Sequence, residues 1–214
     1  MNEFSTGELL FNRKKQSVIL TWIVIFVLFS VLVFFYFFSF IPIQGESMEN
    51  TIFHKQYCLV QRKAFDINRG DIVILDVAEK GEQSHDIVKR VIALSGDKLI
   101  FMLAKDKKTV QLYLCKKGQN NFVKLDEPYI KESMSALSNN YYQIPVMQYL
   151  EDLETYNLQT TPNNILKQID SYITYVKNDY IFFLGDNRNK SRDSRFYGTR
   201  PLDNVKYKVI SVIY

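Results

Sequence analysis

No charged residue occurs between Lys15 and Glu46, and the stretch from Ser17 to Ile43 reads SVILTWIVIFVLFSVLVFFYFFSFIPI. A helix rises 1.5 Å per residue, so about 20 apolar residues cross the roughly 30 Å hydrocarbon core of a bilayer. This run is longer than that. A core helix of a soluble domain would show polar residues at helical spacing, whereas this one is apolar on every side. A cleaved secretory signal has an apolar core of about 7–15 residues and then a small-residue site. Here the core is longer, and the first alanine of the chain is Ala64. The expectation is therefore an uncleaved transmembrane anchor over residues 17–43. Arg13, Lys14 and Lys15 precede it, while Glu46 and Glu49 follow. Positive flanks stay in the cytoplasm. Residues 1–16 are accordingly expected in the cytoplasm, residues 44–214 outside it, and the site in the plasma or inner membrane.

The part after the anchor has the pattern of short strands. The whole chain contains 14 Tyr and 16 Phe against 8 Gly, a balance that favours β structure over helical bundles. Strand-like runs are Cys58–Val60, Asp71–Leu75, Asp86–Leu94, Val110–Cys115, Phe122–Leu125, Asp179–Leu184 and Val205–Ile213. From Asp126 to Lys177 the pattern weakens, apart from helical spacing at Tyr149, Leu150, Leu153 and Leu158. The fold expected is a mainly β core carrying an inserted region over residues 101–177, behind one N-terminal membrane helix. Two Cys and two His cannot build a disulfide scaffold or a thiolate zinc site, so neither metal nor cofactor is expected. A net charge of +4 does not mark a nucleic-acid binder. Cys58 and Cys115 would lie in an oxidising compartment and could pair, but nothing in their spacing indicates it.

Three segments carry polar residues that a plain β domain does not need. Gln44 to Thr51 (QGESMENT) follows the anchor directly; Lys89 interrupts the apolar run Ile87–Ile92; and Gly185 to Arg195 (GDNRNKSRDSR) follows the strand Tyr180–Leu184. By period-2 alternation Lys89 shares a face with Ile87 and Val91, so its ammonium is expected to be partly desolvated. Taken singly, each has a plain structural reading: Ser47 as a turn residue, Lys89 as a side chain reaching out at a sheet edge, the last segment as a polar loop.

Together and in order, the segments resemble bacterial type I signal peptidases, membrane-anchored Ser-Lys proteases that remove signal peptides from exported preproteins. Gly45-Glu46-Ser47-Met48 with Thr51 resembles the nucleophile box, and Arg69-Gly70-Asp71-Ile72-Val73 the strand box after it. Lys89-Arg90-Val91-Ile92-Ala93 with Ser95-Gly96-Asp97 resembles the general-base box. Gly185-Asp186-Asn187-Arg188 through Ser191, Asp193, Ser194 and Arg195 to Gly198 resembles the last and most specific box. The likeness does not reach residues 101–177.

The resemblance implies Ser47 as nucleophile, Lys89 as general base and Ser191 as the group that orients it. It implies Asp193 and Arg195 as a structural ion pair, Asp186, Asn187 and Arg188 as shapers of the loop, and the Ser47 N–H as an oxyanion donor. Gly45 stands where some members have a second, serine donor, so that donor is a backbone N–H or is absent. Asn50 stands where the family usually has Pro. Substrates would be preproteins with small-X-small sites, typically Ala-X-Ala, lying extended beside Gly45–Ser47 and Lys89, with membrane lipid alongside. Candidates for the pockets that hold the small side chains are Met48, Ile87 and Val91. The chemistry agrees: a serine hydroxyl needs a base, and a lysine serves only when neutral, which demands a pKa depressed by roughly 2–3 units from about 10.4. His54 and His85 fall in no Ser-His-Asp order. The alternative, an inactive membrane-anchored binding domain of the same fold, has no need to retain both Ser47 and Lys89. A self-cleaving repressor-type Ser-Lys protease would carry a DNA-binding segment rather than a membrane span. A lipoprotein signal peptidase would need several spans.

Overall fold

The computed structural model describes residues 6–62, 65–78, 81, 83–136, 145–148, 150, 153–155, 157–159 and 163–213. Helix α1 (Thr6–Phe37) contains the apolar segment, and from Lys15 to Phe37 it has 23 residues, about 35 Å of rise, with none of that segment buried. It is the one helix among the described residues long and apolar enough to cross a membrane.

The helix stops at Phe37, six residues short of the expected boundary at Ile43. Residues Phe38–Pro42 instead form strand β1, paired antiparallel with β2 (Tyr57–Gln61) from Phe38↔Gln61 to Pro42↔Tyr57. The last helical carbonyl, that of Phe37, accepts from the Arg62 N–H at 2.7 Å. Apolar composition continues unbroken from helix into strand, so hydropathy could not see the boundary; the partner strand decides it. The consequence for position is direct. Ser47 is not four residues beyond the end of the helix but is reached through a five-residue strand, about 17 Å of extended chain.

The remaining strands are β3 (Ile72–Val77), β4 (His85–Ala93), β5 (Lys98–Leu103), β6 (Thr109–Cys115), β7 (Val123–Lys124), β8 (Met134–Ser135), β9 (Val146–Met147), β10 (Thr174–Tyr175), β11 (Tyr180–Leu184), β12 (Arg200–Pro201) and β13 (Val205–Ile213). Two further helices are α2 (Asn163–Asp170) and α3 (Ser194–Tyr197). One sheet has seven strands in the order β1-β2-β13-β3-β4-β11-β12, every pairing antiparallel. The second has the path β10-β5-β6-β7, with β8 on β6 and β9 parallel to β5. The region expected as an insertion contributes the end of β5 and all of β6 to β10 to this second sheet. Of the helical spacing at Tyr149 to Leu158, the structure contains one 3-10 turn, Leu153–Thr155. Tyr149 itself lies outside the described residues.

Alternation explains how the sheets pack. On β5 and β6, Leu99, Phe101, Leu112 and Leu114 face a core shared with Ile92 of β4 and with Phe182 and Leu184 of β11. Ile100, Met102, Tyr113 and Cys115 face a second core with Phe122, Met147, Leu153 and Ile169. The first sheet buries Val73, Leu75, Val77, Val91, Ile181 and Phe183 in one cluster, and Ile74, Val88, Cys58, Val60, Met48 and Ile52 in another. Each fully buried aliphatic or aromatic side chain contributes about 1.5–3 kcal/mol, so the shared core holds the second sheet firmly against β4 and β11. Cys58 and Cys115 are free, buried thiols in separate clusters, and burial pushes both pKa values up.

Candidate active site

The turn carrying Ser47 is built from its flanks. Gly45 has φ of +95°, a backbone that favours glycine. Its N–H donates to His54 Nδ1 at 3.0 Å. The Met48 carbonyl accepts from the N–H groups of Thr51 (2.8 Å) and Ile52 (2.7 Å), closing a tight turn. Met48 itself is buried against Ile43, Ile52, Val60 and Val88 and pins that turn to the sheet. It is therefore core rather than a wall open to substrate. Val91 is likewise fully buried between β3 and β11 and presents no surface. Of the three pocket candidates only Ile87 is half-buried. It borders a cavity of about 190 Å³ between Ile41–Gln44 on one side and Ile74, Asp86 and Val88 on the other.

Lys89 projects from β4, opposite Val73 of β3. It is 3% exposed, and its Nζ donates to Ser47 Oγ at 2.6 Å and to the Val88 carbonyl at 2.9 Å. Burial strips water from the ammonium and lowers the pKa to about 8; Asp193 pulls it back up, Arg195 presses it down, and Asp186 pulls it up again. Desolvation thus outweighs two carboxylates, as expected for a cation held among apolar strands.

The segment after β11 wraps this pair. Asp193 is fully buried: its carboxylate accepts from Arg195 Nε and Nη2, each at 2.8 Å, and from the Gly185 N–H at 3.0 Å. Burial would raise its pKa, yet Arg195 and the Gly185 N–H hold it below the usual carboxylate value. Asp193 also caps α3 by accepting from the Arg195 N–H. Asp186 accepts from Arg90 at Nε (2.9 Å) and Nη2 (2.6 Å), and from the Thr51 hydroxyl. The Asn187 N–H donates to the Ser47 carbonyl at 3.0 Å, and its side chain to the Glu46 carbonyl at 3.2 Å. Asn50, the departure from Pro, donates to the Asp186 carbonyl at 2.9 Å. The turn carrying Ser47 and the 185–195 loop are in this way sewn together along both edges.

Gly185 permits that approach. A Cβ there would lie 2.2 Å from Ser191 Oγ and 2.5 Å from the Ser47 carbonyl oxygen. Ser191 is buried in the same wall, and among the described residues no hydrogen bond joins its hydroxyl to Lys89. The hydroxyl lies near the Asp193 carboxylate and helps keep it ionised. Lys89 Nζ donates instead to the Val88 carbonyl, which the backbone of β4 sets beside it. Asp97 of the Ser-Gly-Asp box lies away from the Ser47–Lys89 pair. It accepts two hydrogen bonds from Arg69, at 2.7 and 2.6 Å, and ties the approach to β3 to the end of β4.

Sequence reasoning missed one group of contacts. Arg188, buried, donates from Nε to the Gly185 carbonyl at 3.1 Å and from both Nη atoms to Glu127. The Tyr129 hydroxyl donates to Glu127 at 2.7 Å, and the Tyr129 ring lies 4.0 Å from the Arg90 guanidinium. Glu127 and Tyr129 belong to the region read as variable, and only Asp126-Glu127-Pro128-Tyr129, an acidic pair before a proline and an aromatic, could have drawn attention there. His54 also joins the site, as an acceptor for Gly45 rather than as a base.

The sequence profile of the family described as signal peptidase, peptidase S26, matches residues 16–214. The chain belongs to that family. It is similar to signal peptidase I P of Bacillus subtilis subsp. natto, 31% identical over 193 residues that cover 86% of this chain and 82% of that protein. It is also similar to signal peptidase I of Bacillus amyloliquefaciens, 30% identical over 190 residues, 86% and 81% of the two chains. A solved signal peptidase I from Enterococcus faecalis V583 overlaps with a TM-score of 0.38 at 22% identity, over 70% of this chain and 100% of that one. Family membership makes the chain a peptidase, a hydrolase of the signal peptidase type, and its apolar N-terminal helix fits a membrane-anchored member.

Proposed function

We propose that the chain cleaves signal peptides from preproteins with Ser47 as nucleophile and Lys89 as general base, working at the outer face of the membrane that α1 crosses. The observation that carries this reading is the 2.6 Å contact between Lys89 Nζ and Ser47 Oγ in a site dry enough to lower the lysine pKa to about 8. With the amine neutral, the contact reverses and the hydroxyl donates to Nζ. Ser47 Oγ attacks the scissile carbonyl carbon as its proton passes to Lys89. The C–N bond then breaks, and the new ammonium returns the proton to the departing amine. Water deprotonated by the same lysine frees the signal peptide from Ser47. The Ser47 N–H stabilises the oxyanion. The Gly45 N–H, the other nearby donor, is already taken up by His54.

The cavity beside Ile87 suits the substrate. Its walls are the chain leading into the nucleophile turn and the part of β4 leading into Lys89, so an extended peptide can add as a strand between them. Phe40, Phe53 and Tyr57, between 45% and 53% exposed, lie on β1, just after the nucleophile turn and at the start of β2, and would rest on lipid. Arg13, Lys14 and Lys15, which precede the apolar part of α1, support a cytoplasmic N-terminus on this reading.

The test is cleavage of a detergent-solubilised preprotein with an Ala-X-Ala site by wild type, Ser47→Ala and Lys89→Ala. Cleavage after the small residue by wild type alone is the expected result. Activity surviving in a folded Lys89→Ala protein would move the base elsewhere.

A further inference from the structure

The segment Glu127–Tyr129 is not an obvious part of the site, since it lies in the second-sheet region, far in sequence from both Ser47 and Lys89. Its contacts nevertheless reach both sides of that pair. Through Glu127 it holds Arg188, whose side chain is 2% exposed and whose two Nη groups both meet the carboxylate. Arg188 Nε in turn holds the Gly185 carbonyl, and two residues further on the Asn187 N–H holds the Ser47 carbonyl. Through Tyr129 it stacks on Arg90, the residue next to Lys89 on β4, whose guanidinium grips Asp186. The hydrogen bond from the Tyr129 hydroxyl to Glu127 joins the two arms.

From this geometry we infer that Glu127 and Tyr129 are positioning residues that set the Ser47–Lys89 distance from the second sheet. The inference rests on the dyad reading above. Two features favour a positioning role over simple surface pairing. Removing Glu127 leaves the buried Arg188 guanidinium without its carboxylate partner, so it is drawn toward water in the cavity of about 250 Å³ that both residues line, and the loop it holds shifts with it. The shift would act on Gly185 and Asn187, which touch the nucleophile turn directly and have no slack: Gly185 already stands too close to Ser191 and the Ser47 carbonyl to accept even a methyl group. A displacement of about 1 Å between reacting groups costs on the order of 100-fold in rate. Glu127 makes no contact with Ser47 or Lys89, so it is not itself a catalytic residue.

The experiment compares full-length wild type, Ser47→Ala, Glu127→Ala, Glu127→Gln, Asn187→Ala and the double variant Glu127→Ala/Asn187→Ala on one Ala-X-Ala preprotein in detergent. Fold is checked by circular dichroism, and the active fraction by titration with a serine-reactive inhibitor. The expected result for Glu127→Ala is a kcat lower by roughly 10- to 100-fold per active enzyme with KM within about threefold. Glu127→Gln, which keeps one acceptor for Arg188, should recover part of that loss. If the Asn187 side chain, which holds the Glu46 carbonyl beside Ser47, carries part of the relay, the double variant should lose less than the two single losses combined. A general loss of stability would lower the active fraction and combine additively, and that outcome overturns the proposal. So does a kcat within twofold of wild type in folded Glu127→Ala or, should that variant not fold, in Glu127→Gln. Activity surviving in Ser47→Ala sinks the dyad reading and this inference with it, whereas an inactive Ser47→Ala beside an unimpaired Glu127 variant sinks this inference alone.

Discussion

Replacing Lys89 with methionine should abolish activity and make the protein more stable. The lysine pKa is lowered from 10.5 to about 8 on folding. At about 1.36 kcal/mol per unit, holding the charged form in the folded state costs about 3 kcal/mol. The sign follows from proton counts. Between about pH 8 and 10.5 the unfolded chain binds more protons at this position than the folded one, so stability rises with pH across that window. Below about 8 the penalty is present in full; above 10.5 it is gone. Methionine fills a similar volume without charge. It loses the hydrogen bonds to Ser47 and the Val88 carbonyl, which offsets about 1 kcal/mol each. A net gain of about 1 kcal/mol is expected at pH 7, turning into a loss near pH 10.5. The assay is urea unfolding of full-length protein in detergent, followed by far-UV circular dichroism of the β structure, at pH 7, 8.5 and 10. A Lys89→Met protein no more stable than wild type at pH 7, or with an advantage that does not narrow as pH rises, would refute desolvation as the source of the lowered pKa.

The same shift governs rate. Because only the neutral amine accepts a proton, kcat/KM should climb about 50-fold from pH 6 to pH 8 and level above about 8, and Lys89→Arg should be inactive at every pH, since a guanidinium stays protonated. Asp186→Ala leaves the nearly buried Arg90 without its carboxylate and should cost roughly 3–5 kcal/mol, read as a lower thermal midpoint together with weaker cleavage. Gly185→Ala places a Cβ against both a side chain and the Ser47 carbonyl, so no rotamer relieves it; a loss of about 1–3 kcal/mol and a larger fractional loss of kcat are expected, and near-wild-type kinetics would show that the loop is less closely held than the geometry requires.

How much was legible in the linear chain differs by element. The apolar run from Ser17 announced a membrane helix, because nothing but an internally hydrogen-bonded helix satisfies so long an apolar backbone in lipid. The segments holding Ser47, Lys89, Asp193 and Arg195 were legible because polar residues stood where strands did not call for them, while the part each residue plays was implied by the family resemblance. Strands β4, β11 and β13 were legible from alternation and β-branched content. The end of α1 was not. Phe38–Pro42 has the same composition as the helix before it, and only the presence of β2 as a partner makes it a strand.

Local chemistry thus determined which residues can react and which segment can cross a bilayer, since both follow from side-chain type and short-range spacing. What only the tertiary structure decided is everything that depends on chains meeting at a distance in sequence. The 2.6 Å approach of Lys89 to Ser47 requires the turn carrying Ser47 to dock on β4. The lowered pKa requires strands and loop to exclude water from around Nζ together. Met48 and Val91 proved to be core because neighbouring strands cover them, while Ile87 kept a face on the cavity. Glu127 and Tyr129 enter the site only because the second sheet shares its core with β4 and β11, a packing that no period in the sequence can encode.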